Sequence, residues 1–400
     1  MKEPLLTELN LKNLLSFGPD TEPIPLRSLN VLIGPNGSGK SNLLEAISLL
    51  RSAPRDLSAP VKETGGVRDW LWKGAKNPTA TIEAVLRYPE QQMPIRHSFS
   101  FVEHGKRFEV TAERIENRDA FPGYPTPFFF YQNNRGFIRL KEKPQYATTT
   151  TPEENEPEER QLPRETINPE ESVLSQIRDP ERYPALAYLT DIYGRFRLYR
   201  EWTFGRYTAP RQAQKADLPN KYLLENCENM ALVLNYLRRH VRHDLIGALS
   251  SLYPEIKDFD IDINEGQVQL LMAEGGYSIP ATRLSDGTLR YLCLLAILCH
   301  PDPPPLVCIE EPELGLHPDV LPTLAKLMLS AAERCQLIVT THSDILVDAL
   351  TQTPESVIVC EKQDGRTQMQ RLDTKELARW LDKYRLGQLW LKGEIGGTRW

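Results

Sequence analysis

The stretch Gly34-Pro35-Asn36-Gly37-Ser38-Gly39-Lys40-Ser41 constrains this chain more than any other feature. It fits the spacing G-x-x-x-x-G-K-[ST], and both flanks agree with that pattern. Leu29 to Ile33 is a short apolar run that predicts a strand entering the loop. Asn42 to Leu50, with Leu43, Leu44, Ile47 and Leu50 at helical spacing, predicts the helix leaving it. Glycines let backbone N–H groups curl around phosphates, and a helix start adds partial positive charge. Lys40 would reach the β- and γ-phosphates, and the Ser41 hydroxyl would hold Mg²⁺. An ordinary Gly-rich turn needs no such agreement of strand, Lys-Ser pair and helix. The stretch implies a nucleoside triphosphate site, with contacts from Gly34, Asn36, Gly37, Ser38, Gly39, Lys40, Ser41 and Asn42.

At 400 residues the chain has room for two or three domains and a substantial core. Its 48 basic and 54 acidic residues leave a net charge of −6, so no global field draws it to nucleic acid or an anionic membrane. Any such binding would need a local patch. No run of eighteen apolar residues exists, and Met1-Lys2-Glu3-Pro4 does not begin a signal peptide. The six cysteines are scattered without a C-x-x-C, several in apolar runs, as buried free thiols are. The expectation is a soluble, cytoplasmic chain with no membrane partner.

Along the chain, Leu5 to Leu15 begins with alternating apolar residues and leads through a turn to Pro25–Ile33. Thr79 to Leu86 and His97 to Ala112 alternate as strands do, with a turn at His104-Gly105, and predict an antiparallel β region over about residues 80–140. From Lys141 to about Arg182 the chain is rich in Pro, Glu and Thr, including the acidic run Glu153 to Glu159, and reads as a solvated linker or loose insert. Helical patterns resume at Pro184–Gly194 and at Asn226–Leu252, without sustained heptads. Between them, Gly194 to Lys215 carries Arg195, Arg197, Arg200, Arg206, Arg211 and Lys215 interleaved with Phe196, Tyr199, Trp202, Phe204 and Tyr207. Such a segment either tracks a nucleic-acid backbone and stacks bases, or pairs its arginines internally while the aromatics pack.

Four signals after residue 280 complement the phosphate loop. Leu284-Ser285-Asp286-Gly287-Thr288 precedes an apolar helix, Leu289 to Cys299. Ser285 is placed as an N-cap, Gly287 permits close backbone approach, and a helix start of this kind can grip a γ-phosphate. Leu306-Val307-Cys308-Ile309 predicts a buried strand ending in Glu310-Glu311-Pro312-Glu313, where α/β nucleotide enzymes place a Mg²⁺ ligand and a base. Gln336 to Thr341 predicts another buried strand, ending in His342-Ser343.

Phosphate loop, Leu-Ser-x-Gly, acidic strand end and strand-end Thr-His occur in the order of ABC-type ATPases. Leu29 to Asn42 and Ile309 to Pro318 resemble the RecF/Rad50/SMC branch, and most of all its stand-alone RecF-like ATPases of overcoming-lysogenisation-defect type. The resemblance covers about residues 5–55 and 280–345 well and the middle poorly. It implies an α/β fold, a P-loop ABC-type ATPase head with an antiparallel β region and an inserted helical subdomain. The implied division is an N-terminal lobe at 1–140, an acidic linker and helical insert at 141–255, a C-terminal lobe at 256–373 and a tail at 374–400. By the same resemblance two heads close around two ATPs. Lys40 holds phosphates, Ser41 and Glu310 fix Mg²⁺, Glu311 orients the attacking water, and His342 senses the γ-phosphate. Ser285 and Gly287 complete the partner's site. Glu310 stands where the family often has Asp, so its Mg²⁺ contact can run through water. Asp286 and Thr288 depart from Leu-Ser-Gly-Gly-Gln, as in this branch rather than in transporters. The family's metal-directed glutamine is assigned to Gln132.

The implied output is an ATPase acting with a separate effector in antiviral defence or genome maintenance; the alternative is a DNA-clamping repair ATPase that needs none. No D-x-D follows His342, so a nuclease in cis is not expected. After a helix at Thr374–Tyr384, Leu386 to Trp400 carries Trp390, Leu391, Ile395 and Trp400 among four glycines, which disfavour a helix and predict an extended segment. It either docks back on its own lobe or anchors a partner through Trp390 and Trp400.

Overall fold

The computed structural model describes residues 3–89, 93–134, 137–141, 159–163, 166–252 and 256–397. Leu29–Ile33 and Gln336–Thr340 are buried at every position, and Leu306–Glu310 at all but its last. Such continuous burial suits parallel strands covered on both faces. They form the middle of a six-stranded sheet in the order Arg197–Tyr199, Leu306–Glu310, Gln336–Thr340, Leu29–Ile33, Val357–Gln363, Arg366–Arg371. All neighbours pair in parallel except the last, which folds back as a hairpin. Alternation assigns the two faces. Leu32, Cys308, Ile338 and Ile358 point to one core, and Val31, Ile309, Val339 and Val359 to the other.

The first core is closed by helix Lys40–Ser52, helix Pro184–Gly194 and an eight-stranded antiparallel sheet. That sheet runs Ile24–Pro25, Leu6–Lys12, Ala80–Leu86, Ile95–His104, Arg107–Asn117, Phe129–Asn134, Phe137–Lys141, Glu159–Leu162. It is wider than the expected β region, because N-terminal strands join one edge and a strand from the acidic segment joins the other. The rest of the acidic run, Glu153 to Glu158, lies outside the described residues. Along Ile95–His104 alternate side chains Ile95, His97, Phe99 and Phe101 are buried. A buried imidazole needs partners. His97 finds them in Glu113 (3.0 Å) and the Tyr193 hydroxyl (3.2 Å), which ties helix Pro184–Gly194 to the sheet.

The second core lies under helices Met230–His240, Arg242–Leu252, Asp286–Leu298, Leu321–Ala331, Asp344–Asp348 and Leu386–Leu391. A small antiparallel sheet borders it, with Gln267–Glu274 pairing Ile256–Asn264 on one side and Gln214–Lys215 and Tyr277–Pro280 on the other. The helix expected over Asn226–Leu252 is two helices. Val241 leaves the helical region at φ −138°, and the bend lets both Leu237 and Leu245 reach the same core. The helix expected from Leu289 begins at Asp286, because the Ser285 hydroxyl accepts from Thr288 N at 3.1 Å. All six cysteines are buried free thiols.

Residues 386–391 form a helix rather than the expected extended segment. Position 387 has room only for glycine, since a Cβ there would meet Asp344 O at 2.4 Å. Close packing against Asp344–Asp348 outweighs the weak helix propensity of glycine.

Candidate active site

The phosphate loop leaves the central sheet at Ile33 and closes on itself. Gly34, Gly37 and Gly39 have φ of 143°, 78° and 101°, the region L side chains rarely enter. A Cβ on Gly34 would meet Cys360 O at 2.1 Å, and one on Gly39 would meet Thr367 Oγ1 at 2.2 Å. The glycines are thus demanded from behind, by the neighbouring strands, while Gly37 and Asn36 face open space. Lys40 Nζ donates to Gly34 O (2.8 Å) and Pro35 O (3.0 Å) from a buried position. Burial holds its pKa below the ordinary lysine value. Ser38 Oγ is buried with no hydrogen-bond partner among the described residues. A curled backbone, an ammonium group and an orphaned hydroxyl in one loop fit a polyphosphate.

Of the three side chains that support this loop, two have no local sequence signal. Asn42 Nδ2 donates to Ser16 Oγ (2.6 Å), and Thr367 Oγ1 lies 2.6 Å from Ser16 Oγ and 2.9 Å from Ser38 O. Asn42 therefore faces this supporting network. Ser16 and Thr367 were not singled out by sequence, since neither belongs to a motif.

Next to the loop strand lies the strand that ends at His342, and beyond it the strand that ends at Glu310. Ser41 Oγ donates to Glu310 Oε1, so the two groups expected to share Mg²⁺ are in contact. Among the described residues no group of three or more His, Cys, Asp or Glu side chains is arranged for a metal. One hydroxyl and one carboxylate fit Mg²⁺, which completes its shell with phosphates and water. Glu311 follows at φ 46°, a left-handed conformation unusual for a glutamate. Its N–H donates to Thr340 O at 3.0 Å, just past the end of the strand. Glu311 Oε1 then lies 3.5 Å from His342 Nε2. Backbone held in a sparsely populated region beside two titratable groups marks a functional turn.

Glu313, part of the acidic cluster but given no role by sequence, holds the histidine turn. Its Oε1 accepts from Thr341 Oγ1 and from His342 N, both at 2.7 Å. Burial pushes its carboxyl above the usual range. A cavity of 710 Å³ opens over these groups, lined by Pro35, Asn36, Glu311, Leu314, His342 and Trp390 among others.

Ser285 and Gly287 do not line that cavity. Ser285 is exposed at the start of helix Asp286–Leu298. The close approach that Gly287 permits is made to Gly315, whose carbonyl oxygen a Cβ would meet at 2.5 Å. The helix start is thereby fixed to the turn that follows Glu311.

One sequence assignment is corrected, and one pair of open alternatives is narrowed. Gln132 lies on strand Phe129–Asn134 of the eight-stranded sheet, paired with Arg114 and Arg139 rather than with the phosphate loop. Its strand register fixes it there, and the structure does not bring it to Ser41 and Glu310. The arginines of the 194–215 segment are largely engaged within the molecule. Arg197 donates to Gly194 O and Phe196 O, Arg200 pairs with Glu310 and Glu45, and Arg211 pairs with Asp286. Tyr199, Trp202 and Phe204 stack in series. Arg206 with exposed Tyr207 and Lys215 remain on the surface.

The C-terminal segment also differs from its partner-anchor reading. Trp390 is buried, and its Nε1 donates to Gly397 O at 3.1 Å. Gly397 N donates to Glu361 Oε1 at 2.6 Å, and a Cβ on Gly397 would lie 3.4 Å from Gly34 Cα. The segment docks on its own lobe and walls the phosphate loop. Trp400 lies outside the described residues.

A phosphate loop, an acidic strand end and a histidine on adjoining parallel strands, with a capped signature helix on a separate surface, define an ABC-type ATPase head of the RecF/Rad50/SMC branch. The family described as "AAA domain, putative AbiEii toxin, Type IV TA system" matches residues 29–348, and the chain belongs to it. Solved structures share the fold. An Smc head bound to the C-winged helix domain of ScpA is 15% identical with a TM-score of 0.56, over 93% of this chain and 99% of that one. An Smc head with an extended coiled coil, bound to the C-terminal domain of ScpA and derived from Pyrococcus furiosus, is 14% identical with a TM-score of 0.56, over 95% and 99%. An Smc head with a coiled coil and joint from Pyrococcus yayanosii is 12% identical with a TM-score of 0.50, over 95% and 99%. At such identities the likeness is one of fold. No curated protein matches the chain. No helix among the described residues is long and apolar enough to cross a membrane.

The docked tail gives a direct expectation. Trp390→Ala empties a buried indole site and should lower stability by about 3–5 kcal/mol. Because the same side chain holds Gly397 beside Gly34, nucleotide affinity should fall as well. Chemical denaturation and nucleotide titration of the variant check both effects.

Proposed function

We propose that this chain binds and hydrolyses ATP with Mg²⁺, that two copies close face to face around two nucleotides, and that closure regulates or powers a separate effector in antiviral defence or genome maintenance. The observation that carries the reading is the contact of Ser41 with Glu310 beside the Glu311–His342 pair, at the ends of adjacent strands. Phosphoryl transfer asks mainly for positioning and charge stabilisation. Lys40 and the loop amides bind the phosphates, and Ser41 with Glu310 holds the metal side. Mg²⁺, when bound, neutralises charge on the phosphate oxygens. Glu311 orients the attacking water and accepts its proton, and His342 Nε2 faces the transferred group across the cavity.

The exposed start of helix Asp286–Leu298 supports completion in trans. Its first-turn backbone and partial positive charge suit a γ-phosphate presented by a second copy. Loss of that phosphate then weakens the dimer. The effector reading is supported by the family description, which names a toxin of a Type IV TA system, and by Smc heads solved with a separate protein's domain. The internal pairing of Arg197, Arg200 and Arg211 favours it over a DNA clamp working through that segment.

Glu311→Gln should keep ATP binding and lose turnover by roughly 10²–10⁴-fold, with a closed dimer accumulating. Turnover near the wild-type rate would remove Glu311 from the catalytic role. Ser285→Arg should spare nucleotide binding by one copy yet abolish hydrolysis, by blocking the helix start. Mixed with Lys40→Ala, it leaves one intact composite site per mixed dimer, so partial activity should return. Mixed dimers that form and stay inactive would count against completion in trans.

A further inference from the structure

We propose that Arg200 is a positioning residue for the metal-directed carboxylate of Glu310. This rests on the ATPase reading above and deepens its metal side. A glutamate at a strand end has one more torsion than an aspartate and can turn its carboxylate away from a ligand. Here both oxygens are assigned. Oε1 takes the Ser41 hydroxyl, and Oε2 accepts from Arg200 Nε at 3.0 Å. With Oε2 held by the guanidinium, Oε1 is left facing Ser41, where the metal-side ligands meet.

Arg200 is itself fixed at its other end. Its Nη1 lies 2.9 Å from Glu45 Oε1, on the helix that begins with Lys40 and Ser41. One half-buried guanidinium thus joins the helix that presents Ser41 to the strand that presents Glu310. Charge-assisted pairs to two carboxylates have the fixed fork geometry that orients a ligand. The backbone of Glu310 is held from the same segment. Trp202 Nε1 donates to Glu310 O at 3.0 Å, and the Trp202 ring stacks between Tyr199 and Phe204 with centroids 6.1 and 6.0 Å away. Arg290, on the signature helix, sets its guanidinium over the same ring, 5.1 Å from the Trp202 centroid. Arg200 therefore works from a rigid base, as outer-shell partners of metal ligands do. It supplies what the substitution of Glu for Asp removes: a single orientation of the carboxylate.

The test separates metal from nucleotide. ATP affinity is measured for wild type, Arg200→Ala, Arg200→Lys and Trp202→Phe with chelator and across a Mg²⁺ titration, alongside thermal melting. Arg200→Ala should bind ATP without metal within about twofold of wild type, and should need roughly tenfold or more Mg²⁺ for its half-maximal effect, the range for outer-shell partners. Arg200→Lys, which keeps the charge without the fork, should fall between. Trp202→Phe keeps the stack, loses one bond to Glu310 O, and should shift the Mg²⁺ midpoint in the same direction by less; it serves if Arg200→Ala does not fold. An unchanged Mg²⁺ midpoint in Arg200→Lys and Trp202→Phe overturns the proposal, even if stability drops. Equal loss of ATP binding with and without metal also overturns it, by placing Arg200 on the phosphates. A wild type that shows no Mg²⁺-dependent ATP binding overturns the ATPase reading itself.

Discussion

The arrangement of the site depends on one carboxylate. Glu310 receives the Ser41 hydroxyl on one oxygen and the Arg200 guanidinium on the other, and so draws three remote parts of the chain to one point. Sheet order makes this possible. Strand Arg197–Tyr199 lies beside Leu306–Glu310, and Leu29–Ile33 lies two strands away, with the strand that leads to His342 between them. Because these strands are parallel, their carboxyl ends share one edge of the sheet, and every group delivered there faces the same space. A half-buried carboxylate is stable only with such partners, so the contacts that satisfy Glu310 also fix its direction.

The phosphate loop is constrained as firmly from behind. Cys360 O and Thr367 Oγ1 stand where side chains on Gly34 and Gly39 would go. Ser16, Asn42 and Thr367 form a hydrogen-bonded brace on one side, and Gly397 rests against Gly34 on another. A loop that must present backbone N–H groups in one orientation gains from this, since rigid surroundings remove the need to reorganise when a ligand arrives. The tail helix also packs on Asp344–Asp348, directly after His342, so one segment contacts both sides of the cavity.

The signature helix is joined to the strand end at Glu310 within one head. Gly287 meets Gly315, Arg290 donates to Leu314 O, and Arg211 holds Asp286. The aromatic stack from Tyr199 to Phe204 lies between these contacts and Glu310. The two surfaces that would meet across a dimer are therefore parts of one braced body.

What sequence determined was local. The Gly34–Ser41 spacing, the apolar runs before Glu310 and His342, and the Ser285 cap each lie within a few residues, and strand and helix periodicity is enough to place them. It did not determine which strands became neighbours. Arg200 and Glu310 are separated by 110 positions, and Ser16 and Thr367 by 351, so no spacing links them. An arginine-aromatic segment has the same composition whether it strokes a phosphate backbone or braces a core, and burial alone tells the two apart. Gln132 carried the right side chain for a metal ligand, but strand register put it on another sheet. The tail's glycines spoke for an extended chain, and the 2.4 Å that a Gly387 Cβ would leave to Asp344 O shows how closely the helix that formed instead is packed. Side-chain chemistry is written in one dimension; which groups share a site is decided by pairing, register and packing, which are set only when distant segments meet.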